Sequence, residues 1–170
     1  MFKMKSLTLP LCLVFALALT ACGTSTKKKK GANGEDLNLE GSNQGLSLEL
    51  NGDSDSGKAG SLSTIYFAYD SASLSEGSRE TLKANAEFLK SNPTVEVQVE
   101  GHCDERGGVQ YNIALGERRA KSVKDYLVAL GVSREKVTTI SFGKERPVAF
   151  GHDESAWSKN RRGNFVVTAK

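Results

Sequence analysis

The 170-residue chain has only three cysteines, three prolines, two histidines and one tryptophan. Three cysteines cannot form a multi-bridge framework of the kind that staples small secreted domains, so any core must stand on packing. The scarcity of histidine bears on metal chemistry. Catalytic zinc needs three protein ligands and an open position. The candidates, His102 with Asp104 and His152 with Asp153 and Glu154, form two clusters far apart in sequence, with no HExxH-like spacing. No serine stands in a G-x-S-x-G elbow, and Cys103 has no identifiable base. No catalytic residue, metal or cofactor is expected. A large excess of one charge is missing too: 23 basic residues face 20 acidic ones, and from Leu62 onward the balance is 16 to 14. A domain that reads phosphate backbones usually carries a clear basic excess, so no nucleic-acid partner is expected. Nor is there a comfortable membrane span, which needs about 20 apolar residues.

The longest apolar run, Leu7 to Leu19, follows Lys3 and Lys5 and ends in small residues and a cysteine. A positive start, a short apolar stretch and small residues before a cut site describe a secretory signal over residues 1–21. Its end, "LTAC" at Leu19 to Cys22, resembles a bacterial lipobox, in which the cysteine takes a diacylglycerol thioether and becomes the new N-terminus. Acylation at both thiol and amine would supply more than the two chains that stable anchoring needs. Gly23 follows, not aspartate, which by resemblance to enterobacterial sorting rules favours the outer membrane.

Residues 22–61 are rich in Gly, Ser, Asn and charge and poor in aromatics, a composition that buries too little to fold alone. They read as a tether of about 39 residues, with a root-mean-square span of about 35 Å and a stretched length of about 130 Å. "LSLEL" at Leu46 to Leu50 alternates like a strand but has no evident partner nearby, so it is read as linker. Lys27 to Lys30 either attract anionic head groups or only keep the tether extended.

From Leu62 to Lys170 the pattern is globular. "LSTIYFAYD" is β-branched and aromatic, as a strand is. Ser73 or Ser75 can cap a helix that runs to about Ser91 and is ended by Asn92 and Pro93. "TVEVQVEG" alternates strictly, with Val95, Val97 and Val99 on one face. A second helix is predicted from about Val109 to Leu130, stopped by Gly131, with Gly116, Ala120, Val123, Leu127 and Leu130 as its buried stripe. "KVTTISFG" is a third strand. A long excursion with a short helix capped by Asp153 precedes a last strand, "NFVVTA". The order β-α-β-α-β-(α)-β predicts an α+β fold, a small α/β sandwich with helices packed on a four-stranded mixed sheet. Tyr66, Phe67, Phe142 and Phe165 read as sheet and core, and Trp157 as a cap on the core or an exposed contact.

"EGHCDERGGVQYNIALGERRA", Glu100 to Ala120, concentrates opposite charges. Asn112, Leu115 and Arg119 share one helix face at the border of core and solvent. Asp104 and Arg106 lie in the loop before that helix, and Asp70 reaches the same edge if the first two strands are neighbours. A carboxylate such as Asp104 can hold an ammonium, and Arg119 can grip a carboxylate through two parallel bonds. Together they suit a zwitterionic amino-acid head, such as the free end of diaminopimelate in bacterial cell-wall peptide. The same residues could instead pair with each other and close the loop onto the helix. The chain would then be a lipid-anchored interaction adaptor in which the Asp104/Arg119 pair is only structural.

"IYFAYD", "SNP", "VEGHCDERG", "YNIALGERRA", "SFGKERP" and "GHDESAWSKNRRG", in this order and spacing, resemble the peptidoglycan-associated lipoproteins, which end in an outer-membrane-protein-A-like domain. The likeness covers Ser63 to Val167. It implies noncovalent binding of the peptidoglycan stem peptide, with diaminopimelate at the sheet edge held by Asp104 and Arg119. Tyr69 and Asp70 would line that pocket, and Glu105, Arg106, Asn112 and Leu115 would complete or support it. It implies no enzymatic activity. It also implies an outer-membrane lipid anchor at Cys22 with the domain facing the periplasm, and a role in envelope integrity during division. The partner it implies is the periplasmic propeller protein of the Tol system, met by a mixed-charge rim of Glu105, Arg106, Glu117, Arg118 and Lys121. The chain departs from that pattern at Ala68, at Gly107 to Val109 in place of a threonine-proline helix start, and at Cys103, an unpaired thiol beside the implied pocket.

Overall fold

The structure, a computed structural model, describes residues 47–170. The signal segment, Cys22 and Lys27 to Lys30 lie outside the described residues. Among the described residues, three helices, four strands and a short 3-10 turn follow one another as β1 (Ile65–Tyr66), α1 (Glu76–Ser91), β2 (Glu96–His102), α2 (Val109–Ala129), the turn Arg134–Lys136, β3 (Val137–Gly143), α3 (Glu154–Asn160) and β4 (Arg162–Ala169). The strands form one mixed sheet in the order β1-β4-β2-β3. β2 and β3 run parallel; β4 is antiparallel to both β1 and β2. No helix of the described residues is long and apolar enough to cross a membrane.

Each element has a local cause. Ser75 caps α1 by accepting the Ser78 N–H at 3.1 Å, satisfying one of the helix's otherwise orphaned donors. The alternation of β2 buries Val97 and Val99, with Val95 just before the strand, against Leu82 and Leu89 of α1 and Val123 and Leu127 of α2. α2 lies against the sheet because two glycines permit it. A Cβ on Gly101 would sit 1.9 Å from the Gly116 carbonyl oxygen, and one on Gly116 would sit 2.3 Å from Ser141 Oγ. The stripe Asn112, Leu115, Arg119 is not at a solvent border, as its spacing suggested, but buried like the stripe beside it.

Four more expectations are corrected. The first strand is two residues long, not nine, because the place beside β4 is shared. Residues 47–61, read from composition as tether, fold onto the domain. Asn51 N donates to Val167 O at 2.8 Å, Val167 N to Gly52 O at 3.0 Å and Ser54 N to Phe165 O at 2.9 Å, so this strap continues the row that β1 begins. The strap also closes on itself, with Leu48 bridging Ala59, and its Asp55 binds the buried Arg162 at 2.6 Å. The folded unit therefore begins at least as early as Ser47, not at Leu62. Lastly, β4 lies between β1 and β2, so Asp70 reaches the site by another route than strand adjacency. Tyr66, read as sheet and core, lies in β1 but is half exposed.

Candidate ligand-binding site

Past β1 the chain turns away from the sheet through Ala68 to Ser71, and Asp70 takes a left-handed conformation at φ +49°. Arg119 fixes this excursion. Its Nε donates to Ser71 O at 2.8 Å, its Nη2 to Ala68 O at 3.0 Å, and its Nη1 to His102 O at 2.8 Å. The guanidinium, 1 % exposed, thus staples the loop after β1 to the end of β2. Its second Nη1 hydrogen faces Cys103 Sγ at 3.5 Å. Five N–H donors are available to an arginine, and four are taken. The two-pronged grip on a ligand carboxylate expected of Arg119 is therefore not free in this arrangement; one Nη2 hydrogen and the charge remain.

Asp104 does not pair with Arg119 either. Arg106 binds it with Nε to Oδ1 at 3.1 Å and Nη2 to Oδ2 at 2.6 Å. The Arg106 backbone N–H adds a bond to Oδ1 at 3.1 Å, and Arg161 Nη1 reaches Oδ2 at 3.4 Å. Burial works against ionisation of Asp104, but the Arg106 donors and charge, with Arg161, outweigh it and hold the carboxyl below the ordinary aspartate value. Arg106 itself lies 3.9 Å from the ring centres of both Tyr69 and Trp157, a guanidinium stacked against two aromatics.

The loop Asp104 to Gly108 is held without the helix start that Gly107 to Val109 replaces. Gly107 is left-handed at φ +86°, which favours glycine. Asn112 Nδ2 donates to Arg106 O at 2.8 Å, and Lys144 Nζ to Gly107 O at 2.7 Å and Glu105 O at 3.0 Å. The loop, Tyr69, Asp70 and the first turns of α2 enclose a cleft of ≈ 250 Å³. Asn112 and Leu115 form its buried wall, and Tyr111 closes one side by donating its hydroxyl to Asp70. Cys103 also borders it; burial pushes the thiol pKa up, keeping it protonated.

Of the eight residues singled out from sequence, seven line this cleft: Tyr69, Asp70, Asp104, Arg106, Asn112, Leu115 and Arg119. Glu105 does not. It turns to the neighbouring excursion, accepting from Trp157 Nε1 at 2.9 Å and facing His152 Nδ1 at 2.8 Å, so it supports the Arg106 stack from behind. Trp157 is thus neither a core cap nor a free surface ring. Sequence reasoning missed Tyr111 and Arg161. Arg161 is buried at the start of β4, donating to Phe67 O at 3.1 Å and pairing with Asp104 and Glu154. Its one signal was the pair of arginines in "NRRG", a polar doublet directly before a strand. Among the described residues, no group of three His, Cys, Asp or Glu side chains could hold a metal ion.

Chemically the cleft is lined by two guanidinium groups, Arg106 and Arg119, beside the buried Asp104, which Arg161 backs from outside the cleft, with the exposed carboxylate of Asp70 at its mouth. Such a site favours a ligand that carries a carboxylate and an ammonium close together.

The sequence profile of the OmpA family matches residues 66–161. Over 160 residues the chain is 42 % identical to the peptidoglycan-associated lipoprotein of Pasteurella multocida, covering 94 % of this chain and 97 % of that one. It is 44 % identical to that of Pseudomonas aeruginosa, covering 88 % and 90 %. The crystal structure of the peptidoglycan-associated lipoprotein from Burkholderia pseudomallei superposes with a TM-score of 0.60 at 42 % identity, over 61 % of this chain and 88 % of that one. The cell wall anchor of the Pseudomonas aeruginosa T6SS does so with 0.54 at 29 %, over 63 % and 80 %. The chain belongs to the OmpA family and, within it, to the peptidoglycan-associated lipoproteins.

Proposed function

We propose that this protein is a noncatalytic clamp between the outer membrane and the cell wall. The cleft takes the zwitterionic end of diaminopimelate in a peptidoglycan stem peptide, and a lipid on Cys22 holds the other end in the outer membrane with the domain facing the periplasm. The observation that carries this reading is the meeting of Asp70, Asp104, Arg106 and Arg119 around one small cleft. The names of its relatives support it. The ligand carboxylate would face Arg106 and the remaining Nη2 hydrogen of Arg119. The ammonium would face Asp70, whose second oxygen is not engaged by Tyr111, and Asp104 once Arg106 turns toward the carboxylate. By the same family membership, the periplasmic propeller protein of the Tol system is the partner in envelope maintenance during division.

The test is calorimetric titration of the whole chain in detergent with a stem peptide ending in diaminopimelate. A peptide ending in lysine, which lacks the carboxylate beside the side-chain amine, is run beside it, as are Asp70→Asn and Asp104→Ala. Binding of the first peptide alone, weakened in both variants, is the expected result. Equal binding of both peptides, or binding indifferent to the variants, would leave the protein an anchored adaptor and not a wall clamp.

A further inference from the structure

On the far side of the loop that Arg119 staples lies a larger, open groove of ≈ 670 Å³ between α1 and α2. The two cavities share their walls. Along the loop, Tyr69 and Asp70 face the cleft while Ala72, Ser73 and Leu74 face the groove. Along α2, Arg119 faces the cleft while its neighbour Arg118 and then Ser122 face the groove. The groove is mostly cationic: Arg79, Arg118 and Lys121 border it against one acid, Asp125. Lys121 is already paired with Asp125, which also has Arg134 at 3.9 Å. Arg79 and Arg118 stand differently. Among the described residues neither guanidinium has an acidic partner within 4.0 Å or a side-chain hydrogen bond, although each projects from a different helix into the same groove.

Two free guanidinium groups beside a slot walled by Leu74, Tyr126 and two serines suit an extended peptide that carries carboxylates. We infer that this groove is a second subsite for the wall, holding the acidic part of the stem peptide that precedes diaminopimelate, with Arg79 and Arg118 binding its free carboxylate. The inference rests on the clamp reading of the cleft. It deepens that reading by assigning the peptide's direction: the zwitterionic end sits among Asp70, Asp104 and Arg106, and the chain leads over the 69–74 loop into the groove. A peptide rises about 3.3–3.6 Å per residue, so the residue next to diaminopimelate is long enough to begin crossing that loop.

The experiment compares three ligands on the whole chain in detergent: free diaminopimelate, the tripeptide alanyl-γ-glutamyl-diaminopimelate, and the same tripeptide with its glutamate carboxylate amidated. The proteins are the unmodified chain, Arg79→Gln and Arg118→Gln. Both substitutions are exposed on helix surfaces, and a thermal melt of each checks its fold. The expected result is a loss of about three- to tenfold in tripeptide affinity for each variant, and a similar loss for the amidated tripeptide on the unmodified chain. Free diaminopimelate should bind all three proteins alike. Equal losses for free diaminopimelate and tripeptide would move the effect back to the cleft and overturn the groove. Tripeptide binding unchanged by either variant or by amidation would overturn it as well. If free diaminopimelate fails to bind but the tripeptide binds and depends on both arginines, the groove stands and the cleft reading falls. If neither ligand binds, both fall. Vesicles containing phosphatidylglycerol, bound by the unmodified chain and not by the variants while tripeptide binding is intact, would assign the arginines to a membrane surface and overturn the proposal.

Discussion

Asp104 has its two oxygens fully occupied, each accepting two bonds from arginine donors. The residue is therefore as much a keystone as a ligand. Asp104→Asn removes the charge that balances Arg161 in a buried setting, and should cost about 3 kcal/mol in urea unfolding while also weakening stem-peptide binding. An effect on binding with unchanged stability would mean that the pair Arg161 already makes with Glu154 is enough to balance its charge. His102 makes a second residue-scale prediction. It is 1 % exposed, stacks on Phe142, and has Glu100 at 3.4 Å; Arg162 and Asp55 are the other charges facing it. Its Nδ1 is buried without a partner. Burial lowers its pKa below the ordinary 6.5, partly opposed by the bond to Glu100. A depressed histidine takes up a proton more readily when unfolded, so its contribution is intact above about pH 6.5 and is lost as the pH falls below that value. Unfolding free energy should therefore decline from pH 7 to pH 5, and the decline should shrink in His102→Gln. A steeper decline in that variant would reverse the assignment. The only other histidine, His152, is raised by its bond to Glu105 and has the opposite slope, so it cannot supply this loss.

Helices and strands were legible where one chain segment carries its own pattern. The two-residue period of Val95, Val97 and Val99 and the four-three spacing along α2 each report a single element meeting one core, and both were found where expected. The close approach of Gly101 to Gly116 shows how tightly that core is closed. Gly116→Ala should destabilise by about 1–3 kcal/mol, since the clash is with backbone and a strand hydroxyl and not with a flexible side chain. Ser75→Ala, by contrast, should cost about 1 kcal/mol through the lost helix cap. Denaturant midpoints of the two variants check both, and a neutral Gly116→Ala would mean that α2 can slide along the sheet. What was not legible depends on distant partners. The strap pairs with β4 through backbone groups that every residue has, more than 100 positions away, so composition pointed to a linker. The same holds in the site. Asp104 was identified by its motif, but its pairing with Arg161 spans 57 residues, and the commitment of Arg119 to three carbonyls follows from a loop path that no spacing announces.

At the scale of the molecule the strap decides what counts as the domain. A chain beginning at Leu62 loses the partner of β4 beyond β1, uncovers an unpaired sheet edge, and leaves the buried Arg162 without Asp55. Compared with a chain beginning at Ser47, it should be less stable by at least about 3 kcal/mol and more prone to associate through that edge; thermal melts and light scattering measure the two effects. Equal melting of both chains would reduce the strap to a surface decoration. The strap also sets a length. On the proposed anchor at Cys22, 25 residue steps separate the lipid from Ser47, a leash of at most about 85 Å when taut, where a tether ending at Leu62 would reach about 130 Å. A wall held farther than the shorter reach must strip the strap from β4, releasing about 50 Å of slack. Such a joint yields by peeling a short row of hydrogen bonds and one buried ion pair, so in the proposed tether an overstretched envelope would lengthen its leash through the strap.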